Sequence, residues 1–133
     1  MTTFQGNPSS NTADIPGLGV ISTNLAIAKA KSIQSHITDL LKNTGDNRVK
    51  DALKSCSEMY SRVVDDAGLV IKGFQTKDYS TANINLSAWW DTPGECDKGF
   101  KELQVASPLT NDNNVFRTIV EIPLRISSLL LGN

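Results

Sequence analysis

Apolar residues recur every three or four positions along most of the chain, which is the spacing of one face of an α-helix. The first stretch predicts a helix from about Pro16 to Asn43. The second predicts a helix of about seven turns with a 3.5-residue period, which Asp46 or Asn47 can cap. The predicted apolar faces are Leu18, Ile21, Leu25, Ala26, Ala30, Ile33, Ile37, Leu40 and Leu41 on the first helix, and Val49, Leu53, Cys56, Tyr60, Val63, Ala67, Val70 and Phe74 on the second.

Two further helices are predicted, and each contains a proline. Asp78 is a suitable N-cap for the third helix, which Pro93-Gly94 interrupts before its last turns. The loop Asn111 to Asn114 precedes the fourth helix, where Pro123 should kink the axis or shift the register at a cost of about 3 kcal/mol. The predicted faces are Ala82, Leu86, Trp89, Cys96, Phe100 and Leu103 on the third helix, and Val115, Ile119, Ile122, Ile126, Leu129 and Leu130 on the fourth. No segment alternates like a strand, so the predicted fold is all-α, an antiparallel up-down-up-down four-helix bundle.

The two cysteines, Cys56 and Cys96, lie on the predicted apolar faces of the second and third helices. Their separation is far too wide for Cys-x-x-Cys redox chemistry, and no second cysteine pair or histidine cluster completes a zinc site. The spacing favours one structural disulfide between the two helices. Two buried, reduced thiols in a cytosolic bundle are the alternative.

Composition predicts one domain of ordinary size. The 133 residues can bury a single core, with residues 1–14 as a polar, flexible lead-in and residues 15–133 as the bundle domain. The net charge of −1 comes from 13 basic and 14 acidic side chains that are interspersed, a pattern that gives no footprint for nucleic acid or an anionic membrane. We therefore expect a protein or a neutral ligand as partner. Because Met1 to Asn11 has no export signal, a disulfide would mean that the signal has already been removed.

The sequence offers little for catalysis. His36 is the only histidine, and its place beside Ile37 predicts a surface or boundary position rather than a general base. The stretch Gly17-Leu18-Gly19 lacks the Lys-Ser/Thr ending of a phosphate loop and is better interpreted as a helix start. Asp65 and Asp66 diverge by about 100° around a helix, so they cannot converge on one reacting atom. We predict no enzyme activity, no metal and no cofactor.

The adjacent pair Trp89-Trp90 is more informative. Adjacent helical positions cannot both face one core, and Trp89 continues the apolar face of the third helix. Trp90 then lies at the edge of the bundle beside Pro93-Gly94. It is either an anchor for a protein partner or a side chain folded under the loop near Cys96.

Several segments, in this order and at this spacing, resemble the plant invertase and pectin methylesterase inhibitor family, especially its pollen allergen branch. They are Pro16-Gly17-Leu18-Gly19-Val20-Ile21-Ser22, Cys56-Ser57-Glu58-Met59-Tyr60, Lys77-Asp78-Tyr79, Leu86-Ser87-Ala88 and Gly99-Phe100. The resemblance implies a secreted bundle of the apoplast or cell wall, in which the disulfide between the second and third helices maps onto Cys56 and Cys96. It also implies a non-catalytic protein that docks over the active-site cleft of a cell-wall enzyme.

The chain departs from the family pattern in three places. By alignment of Asn7-Pro8, it starts after the helical hairpin with which family members begin, so we expect that hairpin to be missing. Tyr79-Ser80-Thr81 stands where invertase inhibitors carry a Pro-Lys-Phe loop, and Glu95-Cys96-Asp97-Lys98 stands where pectin methylesterase inhibitors commonly show Thr-Cys-x-Asp. Charge placement at an interface discriminates between partners, so both differences bear on the target.

We expect an inhibitor of pectin methylesterase first and of acid invertase second, acting as a monomer or a weak homodimer. A pollen bundle protein without inhibitory activity is the rival hypothesis. The residues expected to bind the partner lie on the third helix and its break, and are Tyr79, Asn83, Trp90, Glu95 and Lys98.

Overall fold

A computed structural model describes residues 15–132 as four helices joined by short loops. They are α1 (Ile15–Asn43), α2 (Asn47–Gln75), α3 (Tyr79–Glu102) and α4 (Thr110–Leu130). Each helix packs on the next, and α4 closes the bundle against α1, so α1 lies diagonally across from α3. The predicted all-α, up-down-up-down fold is confirmed. The lead-in assigned to residues 1–14 lies outside the described residues and stays a prediction.

The helix starts follow local chemistry. Asp46 caps α2 by accepting a hydrogen bond from the Arg48 backbone N–H (2.9 Å), and Asp78 caps α3 by accepting one from that of Thr81 (3.2 Å). Gly19 lies inside α1, as expected, and a Cβ there would come within 2.5 Å of the Phe74 ring. The glycine therefore allows α1 and α2 to approach closely. This packing role, rather than phosphate binding, explains a glycine at this position.

The predicted interruption at Pro93-Gly94 is wrong, because α3 runs without a break from Tyr79 to Glu102. Pro123 likewise lies inside a continuous α4. Both proline rings are buried on the core faces of their helices. Each proline still removes one backbone hydrogen bond, and burial of the ring together with the apolar packing on either side offsets that loss.

The expected loop at residues 111–114 is also wrong, since these residues form the first turn of α4. Asn113 is fully buried, and its backbone N–H donates to the Leu109 carbonyl (2.8 Å). Its side chain finds hydrogen-bond partners on two other helices. A run of Asn and Asp can therefore join a helix here, because the polar groups that usually favour a loop are satisfied inside the bundle.

The apolar faces predicted for α2 and α3 are confirmed, but those of α1 and α4 are partly wrong. Leu18, Ile21 and Leu25 of α1 and Val115, Ile122 and Leu129 of α4 are exposed. The core sides of these helices hold Gly19, Ser22, Thr23 and Ala26 on α1, and Asn113, Phe116, Val120, Pro123 and Ser127 on α4.

Small and hydroxylated residues can occupy these core positions because they satisfy their own polar groups. The Thr23 hydroxyl donates to the Gly19 carbonyl (2.7 Å), and the Ser22 hydroxyl donates to the Leu18 carbonyl (2.8 Å). Small side chains also let the helices pack closely. The larger apolar residues of the same helices are left on the outer surface.

The disulfide Cys56–Cys96 joins α2 to α3 in the core, where each cysteine is 1% exposed. The Cα atoms are 5.0 Å apart. The disulfide hypothesis is therefore confirmed over the alternative of two reduced thiols. It fixes the middle of α2 against the second half of α3.

A chain of two hydrogen bonds, one buried and one partly buried, crosses the bundle beside the disulfide. The Tyr60 hydroxyl donates to Oδ1 of Asn113 (2.5 Å), and Nδ2 of Asn113 donates to Oδ1 of Asp97 (2.8 Å). The Tyr60 ring also meets Phe116 edge to face, with centroids 5.0 Å apart. Burial, helped by the charges of Asp97 and Asp112, raises the pKa of Tyr60, so its hydroxyl stays protonated as a donor. These bonds connect α2, α3 and α4.

Replacing both cysteines, as Cys56→Ala with Cys96→Ala, is expected to lower the free energy of unfolding by roughly 4 kcal/mol, because the cross-link closes a loop of 40 residues and restricts the unfolded chain. Urea denaturation followed by circular dichroism measures the difference. As a control, dithiothreitol should lower the midpoint of the wild-type protein and leave that of the double variant unchanged. Equal midpoints for the oxidised wild type and the variant would contradict this prediction.

Tyr60→Phe is expected to lower the free energy of unfolding by about 2 kcal/mol, because the buried Asn113 amide loses its donor. Tyr79→Phe is the matched control, since Tyr79 is only half-buried and its hydroxyl makes no hydrogen bond to residues 15–132. That change should alter stability by less than about 0.5 kcal/mol. Chemical denaturation of the two variants compares them directly, and equal losses would show that the hydroxyl of Tyr60 is not what matters.

Candidate protein-binding site

The only histidine takes part in a charge cluster between α1 and α4. Asp112 accepts a hydrogen bond from Nζ of Lys29 (2.9 Å) through Oδ1, and its Oδ2 lies 2.6 Å from Nδ1 of His36. His36 is 45% exposed, as its predicted surface or boundary position requires. Within residues 15–132, no hydroxyl or thiol is hydrogen-bonded to His36, and no group of His, Cys, Asp and Glu could hold a metal ion. The cluster pairs charges across two helices.

Partial burial alone would raise the pKa of Asp112, but the hydrogen bonds from Lys29 and His36 outweigh it and lower that pKa. We expect Asp112→Asn to lower the free energy of unfolding by about 1 kcal/mol near neutral pH. A lowered pKa means that the stabilisation is complete above the unfolded value of about 3.9 and is lost as pH falls through the folded value.

Urea denaturation at about pH 6 and about pH 2.5, on either side of carboxylate titration, tests the expected pH dependence. The free energies of unfolding of the wild type and Asp112→Asn should differ at the higher pH, and the difference should become smaller at the lower pH. Asp39→Asn is the control, because Asp39 is exposed and forms no ion pair with the described residues. A difference that stays constant across the two pH values would contradict the assignment.

The outward side of α3 carries one continuous row of exposed residues, which we call the α3 face. Its members are Ile84, Ala88, Asp91, Glu95 and Lys98. The spacing of three and four residues places them on one side of the helix, over a length of about 20 Å. Ile84 is 67% exposed, so this row combines a large apolar side chain with charges of both signs.

A cleft of about 340 Å³ lies between the α3 face and α2. Asp91 and Glu95 line it from α3, and Arg62 and Asp66 line it from α2. Leu69 follows Asp66 by three residues, on the same side of α2, and is 51% exposed. The cleft and its surroundings therefore offer carboxylates beside exposed apolar surface. Mixed surfaces of this kind are typical of protein interfaces.

Trp90 lies at the other edge of α3, toward α4. Its ring packs beneath the guanidinium of Arg117, which is 4.8 Å from the ring centroid, and Nε of Arg117 also contacts the Trp90 carbonyl oxygen (3.4 Å). Gly94 leaves room for this arrangement, since a Cβ there would lie 3.1 Å from the guanidinium. Trp90 is 36% exposed, so it occupies the edge position that the sequence predicts.

The five residues expected to bind a partner separate into three groups. Glu95 and Lys98 belong to the α3 face, Asn83 and Trp90 lie along the edge that meets α4, and Tyr79 lies at the start of α3 against α2. Tyr79 packs on Phe74 with ring centroids 6.4 Å apart, and Asn83 donates hydrogen bonds to the hydroxyls of Ser127 (2.9 Å) and Ser128 (3.0 Å). The structure thus leaves Trp90, Glu95 and Lys98 more open to a partner. The binding role of all five stays a prediction.

Sequence reasoning missed several residues of this surface. Ile84 and Leu69 are apolar yet fall outside the predicted core faces of their helices, and that mismatch was the available signal. Nothing in the sequence marks Asp91 as part of a binding surface, because single acidic residues are common on the exposed sides of helices. Arg117 was also missed, since its contact with Trp90 spans 27 residues of sequence and depends on how α3 and α4 pack.

The described residues form a helical bundle with a mixed apolar and charged outer face, a surface of the kind that protein-binding modules present. The family model described as plant invertase/pectin methylesterase inhibitor matches residues 1–126. The chain therefore belongs to this family of protein inhibitors, as the resemblance of its segments predicts. Membership also accounts for the lack of an assembled catalytic group among residues 15–132.

Named relatives include both types of inhibitor. A Platanus orientalis protein named "Putative invertase inhibitor" is 39% identical over 125 residues, covering 93% of this chain and 74% of the relative. Pectinesterase inhibitor 12 of Arabidopsis thaliana is 34% identical over 116 residues, covering 87% and 67%. The crystal structure of an Arabidopsis thaliana pectin methylesterase inhibitor matches with a TM-score of 0.77 at 20% identity, covering 87% of this chain and 78% of that one. That match supports the fold alone.

Proposed function

We propose that this protein is a secreted, non-catalytic inhibitor of a plant cell-wall enzyme, with pectin methylesterase as the first target. The α3 face and the adjoining cleft would cover the active-site cleft of the enzyme and block access of its substrate. The observation that carries the proposal is this exposed row of apolar and charged side chains on a bundle of the inhibitor family.

The geometry of α3 suits this role because the helix that carries the proposed binding residues is anchored to the bundle before a partner arrives. The disulfide at Cys96 is adjacent to Glu95, and the partly buried hydrogen bond of Asp97 is adjacent to Lys98. Little motion of the helix then has to be lost on binding, which favours affinity. Trp90, fixed by Arg117, can serve as a rigid aromatic anchor at the edge of the interface.

Pectin methylesterase is favoured because several relatives carry that target in their names, including the pectinesterase inhibitors of Arabidopsis and Actinidia deliciosa. Acid invertase is the second candidate, supported by the 39% identity to the Platanus proteins. Secretion is supported by the disulfide, which persists in oxidising compartments, and a location in the cell wall fits the enzymes proposed as targets. None of the helices in residues 15–132 is long and apolar enough to cross a membrane.

The first test is a paired inhibition assay in which the oxidised protein is titrated against plant pectin methylesterase and plant acid invertase at mildly acidic pH. We expect inhibition of pectin methylesterase. The double variant Trp90→Ala with Lys98→Glu should raise the inhibition constant at least about 30-fold, because truncating a tryptophan anchor commonly costs about 2 kcal/mol.

Lys31→Glu is the matched control for charge reversal, because Lys31 is an exposed residue on α1, across the bundle from the α3 face. Circular dichroism establishes that each variant is folded. Inhibition of invertase alone would move the target to the second candidate. Unchanged inhibition in the double variant would remove Trp90 and Lys98 from the interface and contradict the proposed binding residues. No inhibition of either enzyme by the folded protein would favour the non-inhibitory bundle.

A further inference from the structure

The exposed apolar residues of α1 and α4 form a second surface, which we call the α1–α4 strip. Its members are Leu18, Ile21 and Leu25 on α1, and Val115, Ile122 and Leu129 on α4. They were expected in the core, and the structure places them outside it. Leu129 is 72% exposed and Ile21 is 60% exposed.

The two halves of the strip lie side by side. Lys29 and His36 of α1 both contact Asp112 of α4, so these residues mark the sides on which the two helices face each other. Leu25 and Leu18 precede Lys29 by four and eleven residues and therefore share its side of α1. Val115, Ile122 and Leu129 are spaced by seven residues on the corresponding side of α4, where they continue outward from the half-buried Ile119 and Ile126.

Charged residues are confined to the borders of the strip. Lys29, His36 and Asp112 are paired at one end. Glu121 and Arg125 pair with each other along the outer side of α4, with 3.4 Å between Oε2 and Nε. Between these borders the helical positions carry apolar or small side chains. Depletion of charge at the centre with polar groups at the rim is the composition of an interface core.

The exposed apolar area of the strip is large enough for an interface between two copies of the chain. Six large, partly exposed apolar side chains present on the order of 500 Å², near the upper limit of roughly 300–600 Å² for the largest patch on a monomer. Two strips facing each other would bury about 1,000 Å² of apolar surface, and their polar borders bring the total into the range of about 1,200–2,000 Å² for a specific interface. An uncharged strip is also compatible with itself, since a two-fold axis brings no like charges together at its centre.

We propose that the α1–α4 strip is the interface of a two-fold homodimer of this chain. The proposal goes beyond inhibition and does not depend on it. Because α1 lies diagonally across the bundle from α3, the dimer leaves both α3 faces exposed. Dimer formation and enzyme binding therefore use separate surfaces and can be disrupted separately.

Sedimentation equilibrium of the whole chain, over roughly 1–100 µM, tests for a dimer in the range where micromolar affinities are resolved. The expected mass at the upper concentrations is twice 14.4 kDa. Ile122→Glu and Ile21→Glu should each weaken dimerisation at least about 100-fold, because the two-fold axis would bring like charges together in an apolar interface. Both side chains are at least half exposed, so these variants are expected to fold.

Leu69→Glu and Ile84→Glu are the controls, since they make the same change at comparably exposed positions beside and on the α3 face. They should leave the dimer intact, whereas Ile122→Glu should leave inhibition unchanged. A monomer at every concentration would overturn the proposal, as would a dimer that Ile122→Glu and Ile21→Glu do not weaken. A monomer that dimerises only after removal of residues 1–14 would also overturn it, because the N-terminal segment would then be the occupant of the strip.

Discussion

The packing of the bundle depends on one layer of polar contacts around Asn113. Its side chain joins Tyr60 of α2 to Asp97 of α3 from its own position on α4, and the neighbouring Asp112 binds α1 through Lys29 and His36. All four helices are thus tied at one level. Apolar packing alone tolerates sliding and rotation, because it has no direction. Buried hydrogen bonds have direction and penalise every arrangement that leaves one unmade, so this layer fixes the register of the helices.

The sequence predicted the features that local rules determine. Helix number, the capping aspartates, the core faces of α2 and α3 and the disulfide followed from periodicity, capping chemistry and cysteine spacing. The faces of α1 and α4 could not be predicted in the same way, because each has apolar residues on more than half of its circumference. Which half enters the core depends on the hydroxyl bonds of Ser22 and Thr23 and on the partners of Asn113. Those partners exist only after the helices assemble.

The residues of the candidate site also separate into those that local sequence patterns identify and those that depend on how the helices assemble. Trp90, Glu95 and Lys98 stood out in the sequence because of an aromatic pair and a family motif, and the structure leaves them accessible. The neighbours that shape the surface, such as Arg117 above Trp90 and Asp66 across the cleft, are contributed by other helices. Their positions follow from how the helices are rotated about their axes. A single sequence specifies that rotation only through the sum of many core contacts.

The position of the disulfide determines in which compartments the cleft between α2 and α3 is rigid. Cys56 and Cys96 connect the two helices that form the walls of the cleft, so the bond sets the spacing between Arg62 and Asp66 on one wall and Asp91 and Glu95 on the other. A newly made chain in a reducing compartment lacks that brace, and its walls can move apart. Oxidation during export would close the brace only as the chain leaves the cell interior. For a secreted protein, as proposed above, the redox gradient along the secretory route would then restrict the rigid form of the cleft to oxidising compartments.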